Sequence, residues 1–368
     1  MDTVPASDNR LKAEWEPQQA TLLCWPHAQS DWLANLPAVE STYGDIIAQI
    51  SRFQKVICLC QDAQTRSKAR LILEQKSAII DNIELPIIAS NDTWCRDYGP
   101  LSVATRAGLT LLDFEFNGWG EKYAFDLDRQ ITASLFQSRQ SHSIQYQAIP
   151  YVLEGGSIDS NGDGALITTS TCLLNQNRNT NNNTNTNNNT KDPAKNTTKE
   201  QIEDRFSQWF GTRHILWLDT PALEGDDTDA HIDTLARFTR SNHLVYQQCN
   251  NPKDPHYKIL RDMEMQLKQQ ISASQLPLSL TPLPLPSPCY SRLDQAPGQR
   301  LPASYVNFLF INGALLVPVY GVPEDALALS VLQQTCPERE IIPINCQSLI
   351  EQYGSLHCIT MQLHALPH

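Results

Sequence analysis

The sequence predicts an α/β fold of five radially arranged modules, an α/β-propeller, and three observations lead there. Four apolar hairpins can be read along the chain, each following a helical stretch and a strand. Their turns fall near Arg106, Asn161, Asn242 and Asn312, at spacings of 55, 81 and 70 residues, a repeat of structure without a repeat of letters. The apolar run Leu356 to Leu363 can pair with Thr21 to Trp25, so that the two end segments supply a fifth module and close the ring.

The first hairpin runs from Leu101 to Phe114 and turns near Arg106-Ala107-Gly108. The second, Ser157 to Thr169, turns at Asn161-Gly162-Asp163-Gly164, residues that accept the left-handed backbone of tight turns. Its stretch Asp159 to Gly164 imitates the start of a calcium loop, but Ser170 stands where a bidentate carboxylate belongs. The third, Leu235 to Gln247, turns at Arg240-Ser241-Asn242, and the fourth, Asn307 to Val319, at Asn312-Gly313. Between the second and third lies a tract, 175–199, dominated at first by Asn and Thr. Its composition cannot bury enough apolar surface to order itself, so it is expected to be a disordered surface insertion in a single catalytic domain spanning 1–368.

With 28 Lys+Arg against 40 Asp+Glu, the net charge of −12 argues against nucleic acid as a partner. No apolar run approaches the length of a membrane span and no export signal opens the chain, so a cytoplasmic protein with no membrane association is expected. The ten cysteines are scattered, with no C-x-x-C pair. They are expected to be reduced thiols, most of them buried, and no structural zinc site is expected. Homo-oligomerisation is left open.

In three modules a polar cluster precedes the hairpin: Asn91 to Pro100, Leu153 to Ser157 and Gly225 to Asp233. Before the C-terminal run comes Gly354-Ser355-Leu356-His357-Cys358-Ile359-Thr360, in which the cysteine heads an expected strand. A radial fold brings these clusters together. One thiol, one imidazole and several carboxylates suit a planar cation. Carboxylates hold a guanidinium through paired hydrogen bonds, Trp94 adds cation–π attraction, and cysteine attacks the central carbon while histidine moves the proton. Two rival classes are a metal-dependent hydrolase using the Asp226 to Asp233 cluster and a non-catalytic propeller that binds cationic ligands.

The stretches Trp94-Cys95-Arg96-Asp97-Tyr98-Gly99-Pro100, Leu153-Glu154-Gly155-Gly156, Gly225 to Asp233 and Leu356 to Gln362 resemble the agmatine deiminases, as do Glu14 to Gln18, Cys24 to His27 and Ser30-Asp31-Trp32. The similarity runs from Ala13 to Leu363, broken by the Asn/Thr tract. It implies the five-bladed pentein propeller of the guanidine-modifying enzymes and hydrolysis of agmatine to N-carbamoylputrescine and ammonia, a step toward putrescine. It also implies that no cofactor and no metal are needed. Other guanidines, free or peptidyl arginine, are the alternative substrates.

By the same resemblance Cys358 is the nucleophile and His231 the general acid and base. Asp97 and Asp233 hold the guanidinium, and Glu154 positions the imidazole and the reacting nitrogens. Asp227 is the first choice to meet the distal ammonium, with Asp226 and Asp229 nearby, and Trp119 is a candidate pocket wall. His357 is left out, since strand alternation would point it away from the site. Ala230 stands where the family has glycine, which is harmless at negative φ, and the glycine-rich stretch before the nucleophile is thinned to Gly354-Ser355.

Overall fold

The computed structural model describes residues 8–136, 144–179, 197–293 and 296–365. Within them the chain forms a mixed α/β fold of five separate sheets. Each is built on the same plan: an antiparallel strand pair followed, after a helical connection, by a parallel strand on the outer side.

In the first sheet Leu101–Thr105 pairs antiparallel with Gly108–Glu115, and Gly108–Glu115 pairs parallel with Ile144–Val152. Arg10–Leu11 adds to the free edge. The second holds Ile158–Ser160, Ala165–Thr169 and the parallel His214–Leu218. The third holds Ala236–Arg240, His243–Gln248 and the parallel Ser279–Pro284. In the fourth, Leu309–Ile311 and Ala314–Val319 carry the parallel Glu340–Asn345. All four hairpins turn where the sequence predicts, and Gly313 adopts φ +78° in the two-residue Asn-Gly turn.

The fifth sheet joins the two end segments. Met361–His364 pairs antiparallel with Gln18–Cys24, with Met361 opposite Leu22, and Lys55–Leu59 follows in parallel. The expected strand from Leu356 is shorter than its apolar run suggests. Leu356 to Ile359 form a turn, closed by the Thr360 amide on the His357 carbonyl at 3.1 Å, and Cys358 therefore sits before the strand, where period-two alternation does not apply.

The insertion also differs from its expected span. Asn175 to Asn179 are described, and Arg178 and Asn179 are buried. At the far end Lys199–Phe210 is an amphipathic helix. It opens on a capping box between Thr198 and Gln201 and closes on Gly211 in the left-handed region. The remainder of the expected disordered tract, 180–196, lies outside the described residues.

Every functional cluster occupies one equivalent place, the short turn that leads into the first strand of a sheet. Cys95–Tyr98, Gly155–Ser157 and Ile232–Thr234 are single helical turns of this kind. The first two touch each other, as do the second and third. The strands behind them are apolar and buried: all of Leu309–Ile311 and most of Ala165–Thr169 lie in the core. Packed β-strands thus hold a layer of polar turns, the arrangement that places chemistry on a rigid support.

Candidate active site

A narrow cleft opens above these turns and is lined by Trp94, Asp97, Trp119, Asp227, Asp233 and Cys358 among others, aromatic walls with a few convergent polar groups of the kind that bind small ligands. His231 and Glu154 lie behind that lining. His231 Nδ1 is 3.6 Å from Asp97 Oδ1, and ligand atoms of His231, Glu154 and Cys172 fall within 4.8 Å of one another.

Gly156 explains how the groups come so close. A Cβ there would meet His231 Nδ1 at 2.7 Å, Asp97 Oδ1 at 2.9 Å and Asp233 Oδ2 at 3.2 Å. Any side chain would push the groups apart, and the bare backbone instead donates its amide to Asp97 Oδ1 at 2.9 Å. Gly354 does the same service for Trp94, whose ring carbon would lie 2.1 Å from an added Cβ.

Asp97 is held from two sides, by the Gly156 amide on Oδ1 and by the Trp119 indole on Oδ2 at 2.9 Å. Burial raises its pKa, and the nearby His231 opposes the rise. Asp233 is the contrasting acid. Burial pushes its pKa up, but the hydrogen bond and charge of His357 outweigh that and leave it below the ordinary value. Its Oδ2 receives His357 Nδ1 at 2.8 Å, while Oδ1 is buried without a hydrogen-bond partner. A buried acceptor of this kind is costly unless a ligand supplies the donor.

Cys358 Sγ lies 3.7 Å from Asp233 Oδ2 and 3.4 Å from Asn307 Nδ2. Burial, then the charge of Asp233, lifts the thiol well above its ordinary pKa, with the Ser355 backbone and Asn307 opposing. At neutral pH Cys358 therefore keeps its thiol proton. Burial disfavours the charged form of His231, yet the surrounding Asp97, Cys172 and Glu154 outweigh it and raise the imidazole to about 10. At neutral pH His231 is a cation with a proton to give.

Four residues outside the sequence-predicted set prove to belong to the site. Arg178 Nε donates to both oxygens of Glu154, at 2.8 and 3.0 Å, and its Nη1 to Asp229 at 2.8 Å. This guanidinium balances the buried charge of Glu154. Asn307 reaches the thiol. His357, expected to point away, instead bridges Asp233 and Glu14, because the turn at Leu356 to Ile359 turns its ring inward. Tyr123 donates its hydroxyl to Asp227 Oδ2. The only sequence signal for Arg178 is a lone cation following the apolar Cys172-Leu173-Leu174.

The acids near His231 divide accordingly. Asp226 receives the Thr228 hydroxyl at 2.6 Å and the Ala230 amide at 2.7 Å and so shapes the turn. Asp229 pairs with Arg178 and Lys122. Asp227 lines the cleft, with Lys122 Nζ 3.6 Å away. Ala230 departs from the harmless geometry: its φ is +65°, as is that of Asp229, so the Cβ sits in a left-handed backbone that favours glycine.

Residues 10–363 match the Porphyromonas-type peptidyl-arginine deiminase family. The chain belongs to that family. It is 30% identical to the agmatine deiminase of Pseudomonas syringae pv. tomato over 98% of this chain and 97% of that protein. It is 29% identical to the agmatine deiminase of Pseudomonas aeruginosa over 98% and 97%. Among solved structures, a cysteine-to-serine variant of C. jejuni agmatine deiminase with substrate bound superposes with a TM-score of 0.84 at 33% identity, covering 97% of this chain and 96% of that one. The agmatine deiminase of Enterococcus faecalis gives 0.83 at 25%, covering 98% of each.

Proposed function

We propose that this family member is an agmatine deiminase, a hydrolase of a linear amidine C–N bond that converts agmatine and water to N-carbamoylputrescine and ammonia. The observation that carries the reading is the pairing of a buried thiol at Cys358 with the unpartnered Oδ1 of Asp233 in one cleft. The guanidinium binds between Asp97 and Asp233, which accept its forked N–H donors, with the Trp94 and Trp119 rings bounding the space. Its charge lowers the cost of ionising Cys358, whose proton passes to solvent and is taken up by the ammonia released. The thiolate adds to the guanidinium carbon, His231 protonates the departing nitrogen as ammonia, and a thiouronium remains on the sulfur. Water, deprotonated by His231, then adds to the same carbon. Collapse breaks the C–S bond, returns the thiol and releases the ureido product.

Glu154, clamped by Arg178, backs His231. Asp227 and the exposed Asp31 stand at the mouth of the cleft and favour a distal ammonium over an α-carboxylate. Asp227 already receives Tyr123, so Asp31 shares the role. The five sheets read as five blades of one catalytic propeller domain spanning the chain, with the cleft at its axis. The ten free thiols fit a reducing, cytoplasmic setting. Neither cofactor nor metal enters the reaction.

The test is ammonia release from agmatine, arginine and a peptidyl arginine. Agmatine is expected to have the highest kcat/KM. Cys358→Ala should lose all turnover while keeping its circular dichroism. Equal kcat/KM for arginine removes the selectivity, and ammonia released by the alanine variant removes the mechanism.

A further inference from the structure

His357, the residue before the nucleophile, takes no part in the reaction as written, yet both of its ring nitrogens are engaged in a buried setting. Nδ1 lies 2.8 Å from Asp233 Oδ2 and Nε2 lies 2.7 Å from Glu14 Oε2. Ionised carboxylates only accept hydrogen bonds. An imidazole between two of them therefore bears a proton on each nitrogen, or one carboxyl carries the missing proton.

The backbone of His357 is pinned as well. Its amide donates to Asn307 Oδ1 at 2.9 Å, and its carbonyl accepts from Arg96 Nε at 3.4 Å. Glu14, at the far end, receives Arg237 Nη2 at 2.6 Å and the Phe310 amide at 2.7 Å. Glu14 comes from the N-terminal segment, Arg237 from the third sheet and Phe310 from the fourth, so the chain of contacts ends on a framework that cannot swing.

We propose that His357, backed by Glu14, is the positioning residue that fixes the carboxylate of Asp233 for the guanidinium, clamping Oδ2 and leaving Oδ1 as the oxygen offered to substrate. The inference rests on the proposed role of Asp233 in holding that cation. The groups facing Asp233 are His357 and Cys358 from the last turn, His231 from its own turn, Arg96 and Asp97 from the first module and Arg237 from the following strand. Burial alone would raise the pKa of Asp233. His357 is the neighbour that offsets it most, ahead of His231 and Arg237.

His357→Leu removes both donors, whereas His357→Asn keeps an amide near the place of Nδ1. In the leucine variant kcat/KM for agmatine should fall a hundredfold or more, with its acid limb moved toward neutral pH by at least one pH unit. The asparagine variant should recover at least tenfold, with an acid limb between the two. A uniform loss across pH, or an asparagine variant no better than leucine, overturns the proposal. Should the leucine variant not fold, the asparagine variant decides alone: an acid limb raised by half a pH unit supports the clamp, and one coincident with wild type overturns it. If wild-type protein releases no ammonia from any guanidine, the functional reading has failed instead. The clamp is then read from the ¹³C-carboxyl titration of Asp233, whose midpoint should rise in His357→Asn and would coincide with wild type if His357 were idle.

Discussion

The indole N–H of Trp119 donates to Asp97 Oδ2 across 2.9 Å from a residue whose own backbone is left-handed, at φ +56°. It belongs to a run, Gly118 to Glu121, in which all four residues have positive φ. Backbone strain of this kind is retained where the surroundings over-determine it, and here it aims a donor at a buried acid. Trp119→Phe keeps the apolar wall and deletes the N–H. A hydrogen bond to a charged group contributes about 1.5–3 kcal/mol, so kcat/KM for agmatine should fall roughly ten- to hundredfold with unchanged circular dichroism. A loss below twofold would mean that the indole does not hold Asp97.

Cys358 sets the pH response of the empty enzyme. Burial and Asp233 raise its pKa, with the smaller influences of Ser355 and Asn307 opposing. A group with a raised pKa stays protonated until the pH passes that value, so alkylation by iodoacetamide should climb only in the alkaline range. The kcat profile reports the substrate complex, where the bound cation favours the thiolate, so its rise should begin at least one pH unit below the alkylation midpoint. Complete alkylation at pH 5 without ligand contradicts this.

Ala230 carries a cost that the active site does not need. Its amide is held by Asp226 and its carbonyl by Thr169, so the backbone cannot relax from φ +65°. The left-handed region costs a non-glycine residue about 1–2 kcal/mol, partly offset by the greater unfolded-state freedom of glycine. Ala230→Gly should therefore stabilise the protein by about 0.5–1 kcal/mol and raise Tm by roughly 1–3 °C, measured by calorimetry. A lower Tm would show that the methyl group packs usefully.

Arg178 is a structural cation inside the site. Removing one partner of a buried pair costs about 3–5 kcal/mol because the other charge is stranded. Arg178→Met should lower the urea midpoint accordingly, and adding Glu154→Gln should recover part of the stability though none of the activity. A double variant no more stable than the single one would mean that Glu154 is not the group left exposed to burial.

The turns and the polar clusters that line the cleft were readable because their chemistry is local. Gly313 and the glycines at 162 and 164 take the left-handed backbone of tight turns, and polar clusters precede three of the four hairpins. Other partners are set by tertiary contact. Glu14 meets His357 across 343 residues and Arg237 across 223, and nothing in either neighbourhood marks the pair. Arg178 was hidden by composition, since it lies inside the Asn/Thr tract that begins at Asn175, yet it is buried and paired with Glu154. His357 was misplaced by assuming strand alternation where the backbone turns.

Because Met361 pairs with Leu22, the outer edge of Gln18–Cys24 has no strand beside it until synthesis has passed residue 361. At about 5–20 residues per second of synthesis, that apolar strand waits on the order of 20–70 seconds for its neighbour, an interval in which an open edge invites wrong partners. Cys358, the proposed nucleophile, arrives in the same stretch, three residues ahead of the closing strand. Placement of Cys358 and sealing of the sheet thus fall together in synthesis, and under the proposed reaction a nascent chain that stops short of residue 358 has no thiol there to meet a guanidine.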